Sequence, residues 1–195
     1  MIINQINDMF ENLLRRDWYH KLNITDDMIN TYLDRTFAHI ERVMKYGKKI
    51  GKNYADHDRD KLTKDNIIIP YIFLTWGKKH KDFEIPELIQ QSIDNATKLH
   101  MINNKHHPEY WCDDNVRKLI DFTRDDPNPN GDIYDATKMP KSALDEMVCD
   151  WCAMAEEMGE KTPKTWADKT VNKRWKFTNE QTDYIYKMLD KVWNK

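Results

Sequence analysis

Apolar residues recur along most of this chain at steps of three and four, the period that gathers side chains on one face of an α-helix. Ile2, Ile6, Phe10 and Leu13 or Leu14 mark such a face in residues 2–16. A longer stripe, Tyr32, Val43, Tyr46 and Ile50, predicts a helix from Asp26 to about Lys52. The run KDNIIIPYIFLTWGKKH is strongly apolar but contains Pro70, which has no amide hydrogen and fits best in a first helical turn. That rule predicts a short turn up to Ile69 and a helix from Pro70 to His80, although NIII by itself resembles a strand.

Ile89, Ile93 and Ala96 predict a helix from near Pro86 to about Asn103. Another is expected from Pro140 to just before Gly159, with proline at its start and glycine past its end. The last begins at Thr178, where Thr178 and Gln181 have the spacing of a capping box, and carries Tyr184, Ile185, Met188, Leu189 and Val192. Between Asp113 and Met139 the stretch RDDPNPNGD concentrates turn formers and predicts a polar loop, placed to act as a lid over a site. No internal repeat and no period-two alternation interrupts this pattern, so the expected fold is an all-α helical bundle in a single domain.

Composition agrees. A chain of 195 residues suits one core, since domains commonly run to about 100–200 residues. Lysine and arginine number 31 against 33 acids, a net charge of −2 that gives no global pull toward nucleic acid. The local basic run Lys45, Lys48, Lys49 and Lys52 leaves nucleic-acid contact open. No apolar run reaches the roughly 18 residues of a membrane span, and the first residues lack the basic-then-apolar order of a secretory signal. Cys112, Cys149 and Cys152 are odd in number and fit a reducing compartment, so a cytoplasmic protein is expected.

Three polar residues occupy positions where the helical stripes call for apolar ones. His39 continues the stripe of Tyr32, Val43 and Tyr46; His100 continues that of Ile93 and Ala96; Asp150 falls between Met147 and Met154. One inward histidine is ordinarily a core residue satisfied by a hydrogen bond. An inward aspartate is costly unless paired or bound to a cation, and imidazoles converging with carboxylates in a helical core are what a metal site requires. Glu146 lies one turn before Asp150 and is placed to hydrogen-bond a ligand histidine, or to pair with Lys138 or Lys141. The CxxC of Cys149 and Cys152 sits mid-helix with no second CxxC, which points to core packing. Trp111, Trp151, Trp166 and Trp175 are core residues or stacking platforms for a nucleobase.

The order His39, His57-Asp58, His100, His106, Asp150, with HIERV and HDRDK, resembles the HD superfamily of metal-dependent phosphohydrolases over roughly residues 35–155. HMINNKHHPEYW and MPKSALDEMVCDW are also similar to segments of an uncharacterised bacterial and phage family, which names no activity. The HD resemblance implies that His39, His57, Asp58 and Asp150 bind one divalent ion (Mn, Fe, Mg, Co or Zn), and that His100 and His106 bind a second bridged by Asp58. His106 is taken as the ligand in preference to His107, which falls near a helix cap before Pro108. Catalytic roles fall to Lys61 and Glu146, and Lys61 and Arg42 would hold the substrate, a nucleotide-like phosphoester. An HD-type di-iron oxygenase, and a non-catalytic phage or mobile-element binding protein with a structural metal, stand as alternatives.

Overall fold

Seven α-helices, one 3-10 turn and one pair of two-residue strands form the described part of the computed structural model, residues 21–113, 123, 131 and 133–193. The helix expected over residues 2–16 and most of the loop expected over 113–139 lie outside the described residues. The helices are α1 (Asp26–Lys48), α2 (Asp60–Thr63), α3 (Asp65–Lys79), α4 (Glu87–Asn103), α5 (Lys141–Glu157), α6 (Lys164–Thr170) and α7 (Asn179–Trp193). The protein is all-α in class, and none of its described helices is long and apolar enough to cross a membrane.

Local chemistry explains where most elements stop. α1 ends at Lys48, short of Lys52, because Gly51 takes φ +72°. The Lys52 amide then donates to the Gly47 carbonyl at 3.0 Å and the Gly51 amide to that of Lys48 at 3.2 Å. α5 closes with the same pair of bonds around Gly159, where Glu160 donates to Ala155 at 2.8 Å and Gly159 to Glu156 at 3.2 Å. A left-handed glycine that returns two amides to orphan carbonyls is the usual device for ending a helix. At the start of α7 the predicted capping box forms in both directions: Thr178 N–H donates to Gln181 Oε1 at 2.8 Å, and Gln181 N–H to Thr178 Oγ1 at 3.1 Å.

Two expectations are corrected. α3 begins at Asp65, so Ile67–Ile69 are helical and Pro70 lies inside the helix. Pro70 forfeits one backbone bond, which the burial of Ile67, Ile68, Tyr71, Ile72 and Phe73 on the same segment outweighs. Strands also exist: Tyr134–Asp135 pairs in parallel with Trp175–Lys176, through Tyr134 N–H to the Arg174 carbonyl and Ala136 N–H to that of Lys176. Two residues are too few to show an alternating pattern.

Packing groups the described residues into two compact units. The first takes residues 21–38 and 58–96. Its core is Ile24, Met28, Ile29, Leu33, Ile67, Ile68 and Ile72 with Ala96 of α4. Within it the Tyr32 hydroxyl donates to the Lys61 carbonyl, and burial pushes the phenol pKa well up. The second takes residues 39–57 and 97–193, with α5 and α7 supplying Leu144, Met147, Val148, Ile185 and Leu189. Cys149 and Cys152 lie in this core as free thiols, and burial pushes the Cys152 thiol up to about 12, so both act as packing residues rather than nucleophiles. Gly47 is required by close approach, since a Cβ there would stand 2.7 Å from Tyr54 Cδ2.

Candidate metal centre

The site lies in the second unit, and α5 builds one wall of it. Glu146, Asp150 and Glu157 are four and seven residues apart, spacings that return to the same helical face. The last turns of α1 face it with His39 and Arg42, anchored below by Tyr46, whose hydroxyl donates to Glu156 Oε2 at 2.6 Å. Lys45 reaches the same Glu156 oxygen at 2.6 Å. His57 enters from the turn after α1, tied by its amide to the Tyr54 carbonyl at 3.0 Å. His106 and His107 follow α4, with His107 capping the 3-10 turn Pro108–Trp111.

Three donor atoms converge. His39 Nε2 lies 3.3 Å from His57 Nε2 and 3.1 Å from Asp150 Oδ1, and His57 Nε2 lies 3.9 Å from the same oxygen. A circle through these three atoms has a radius of about 2.0 Å, the length of a bond from nitrogen or oxygen to a first-row divalent ion. Burial would by itself raise the Asp150 carboxyl. The hydrogen bond with His39 and the electrostatic influence of the neighbouring His39, His57 and His106 outweigh it and hold the group below the usual carboxylate range. Asp150 therefore stays ionised at neutral pH, the form a cation needs.

Behind this triangle stand two carboxylates. Glu146 Oε1 accepts from His57 Nδ1 at 2.9 Å, which leaves the lone pair of Nε2 facing His39 and Asp150. Such a carboxylate behind a histidine fixes its tautomer and raises its basicity as a ligand. Glu157 Oε2 is 3.8 Å from His39 Nδ1 and also takes Arg42 Nη1 at 3.3 Å. Glu146→Gln is expected to weaken metal binding by about 10- to 100-fold with unchanged helical content, measured by titration of the metal-free protein.

The histidines continue as a row. Ring centroids of His57 and His106 are 4.3 Å apart, those of His106 and His107 4.3 Å, and those of His107 and His100 4.8 Å. His57, His106 and Glu146 each offer one ligand atom within 4.8 Å of the others, and so do His100, His106 and His107. His107 Nε2 meets His100 Nε2 at 3.0 Å, so both members of the HH pair belong to the row. Asn104 Nδ2 donates to His100 Nδ1 at 3.0 Å and to the His100 carbonyl at 2.7 Å. This places the His100 proton on Nε2, and ligation through that atom requires the Asn104 amide to turn over.

The structure thus brings together His39, His57, His106, Glu146 and Asp150 in one cluster, with His100 at the end of the row. Asp58 and Lys61 belong to the other unit and pair with each other, Lys61 Nζ to Asp58 Oδ2 at 2.7 Å. Asp58 is buried and takes φ +55°, a left-handed conformation that costs a non-glycine residue on the order of 1 kcal/mol and recurs at functional sites. Arg42 is directed to Glu157. Lys138 and Lys141 pair with Asp113 and Glu180, leaving Glu146 to His57.

Sequence reasoning missed Glu157, Asn104 and a buried pair nearby. Glu157 was within reach, seven residues after Asp150 on one stripe. The pair was not: Glu109 Oε1 accepts from Arg174 Nη2 at 2.7 Å and from Trp175 Nε1 at 2.9 Å, across more than sixty residues of chain.

Fold and site define a helical protein with a buried histidine–carboxylate cluster suited to a metal ion. The chain belongs to DUF5662, a family of unknown function, whose model matches residues 28–191. No curated protein and no solved structure matches it.

Proposed function

We propose that this protein is a metal-dependent phosphohydrolase acting on a small phosphoester. The observation that carries the reading is the triangle of His39 Nε2, His57 Nε2 and Asp150 Oδ1, three donors of the right chemistry around one bond-length centre. His106 and His100 are proposed as donors for a second ion. Three protein donors leave coordination positions for water and substrate, which a structural site closes off. Asp150 also lines an open pocket, giving that side an approach.

A divalent ion bound there would lower the pKa of a coordinated water and offset charge on the phosphoryl group. The reaction is hydrolysis: a water oxygen bonds to phosphorus, the phosphorus–oxygen bond to the alcohol breaks, and the departing oxygen takes a proton. His57 is oriented for it by Glu146, and Asp150 supplies the anionic donor.

Elemental analysis of purified protein, followed by phosphate release from a panel of nucleotides and simple phosphoesters, tests the reading. Bound metal with metal-dependent phosphate release is expected. Bound iron with oxygen consumption and no phosphate release would replace it with the oxygenase reading, and metal without either activity would leave a structural site.

A further inference from the structure

The second unit holds a pocket of about 530 Å³, within the range of small-molecule sites, that runs up to the metal centre. Asp150 and His107 are among its lining residues, so the pocket gives access to the candidate centre. Indole and thioether side chains make up much of the remaining wall, alongside Glu160, Thr162, Thr165, Lys169 and Arg174. Trp151 and Trp175 stack at 6.0 Å between centroids with 20° between planes, and Trp166 stands edge-on to Trp175 at 6.3 Å and 63°. Met154 and Met158 also line it.

Two features mark this as a built site rather than a packing defect. The Glu109 carboxylate is 2 % exposed and holds two wall residues at once, accepting from Arg174 and from the Trp175 indole. The Arg174 guanidinium lies over the Trp175 ring at 4.6 Å. The wall residues Trp166 and Met158 are 44 % and 67 % exposed, large apolar surface left in water.

The lining also says what kind of body fits. Indole faces and edges favour another flat ring in offset or edge-on contact, and methionine sulfur adds to such contacts. Thr162, Thr165, Lys169 and Arg174 add polar groups to this wall, so a ring could also be met at its edge. We infer that the substrate of this centre is a phosphomonoester whose alcohol portion carries a flat aromatic ring, seated against Trp166 with its phosphate toward Asp150. This rests on the phosphohydrolase reading above and narrows its substrate to one selected by ring shape.

The test uses the full chain with its metal bound and two readouts. Binding of 1-naphthylmethylphosphonate, which cannot be hydrolysed at a phosphorus–oxygen ester bond, is compared with octylphosphonate and methylphosphonate by calorimetry. Phosphate release is compared between 1-naphthyl phosphate and octyl phosphate. The naphthyl ligand is expected to bind about tenfold tighter than the octyl one. Trp166→Ala, an exposed position whose loss the fold tolerates, should abolish that preference and leave methylphosphonate binding unchanged. Equal binding of naphthyl and octyl ligands, or a preference that survives Trp166→Ala, overturns the inference even if both esters are hydrolysed. A Trp166-dependent preference without phosphate release from either ester upholds the ring site and overturns the hydrolase reading instead.

Discussion

Asp150→Asn is expected to reduce bound divalent metal from near stoichiometric to background, a larger loss than the about 10- to 100-fold that follows removal of a carboxylate behind a ligand histidine. Asparagine keeps the shape and one carbonyl oxygen of the side chain, so the 3.1 Å contact with His39 has a replacement acceptor. What disappears is the negative charge. Its importance is visible in the carboxyl itself, which His39, His57 and His106 hold below the usual range against the opposing effect of burial. The helical circular dichroism should stay at the wild-type level, since neither α5 nor its glycine stop depends on this side chain. Metal measured after dialysis at wild-type stoichiometry in this variant would move the centre away from the His39, His57, Asp150 triangle.

Glu109→Ala is expected to lower stability by about 3–5 kcal/mol, the range found when one partner of a buried ion pair is removed. The cost has two sources. Arg174, whose side chain is only 14 % exposed, is left with a charge and no carboxylate, and the Trp175 indole loses the acceptor of its N–H. Against a total stability of about 5–15 kcal/mol for a typical domain, such a variant would be marginal. Urea unfolding followed by tryptophan fluorescence measures it. Glu109→Gln should lose less, because it keeps an acceptor for both donors. Replacing both partners by apolar residues, Glu109→Leu with Arg174→Met, should recover much of the loss, since no unpaired charge then remains buried. A loss below about 1 kcal/mol in Glu109→Ala would show that Arg174 finds another partner or reaches solvent.

The two variants separate the roles of two carboxylates, one half-buried and one buried, that look alike in sequence. Asp150 sits among imidazoles, and its removal should be felt in metal content. Glu109 sits against a guanidinium and an indole, and its removal should be felt in stability and in the shape of the pocket wall. Neither difference follows from residue type.

What the sequence determined by itself is local. Steps of three and four placed α1, α4, α5 and α7, the Thr178–Gln181 spacing marked the start of α7, and Gly159 marked the end of α5. The same periodicity showed that His39 and His100 take core positions, because facing inward on a helix depends only on neighbours one turn away. The tertiary structure decided which of these residues meet. It set His39, His57 and Asp150 around one centre, brought His107 into the histidine row, turned Arg42 to Glu157, and paired Lys61 with Asp58. It also joined Glu109 to Arg174 and Tyr134 to Trp175. These contacts are fixed by how separate elements pack, and packing depends on the summed fit of many side chains. No spacing along the chain encodes it: a carboxylate on a helical face has the same local pattern whether it finds an imidazole, a guanidinium or water.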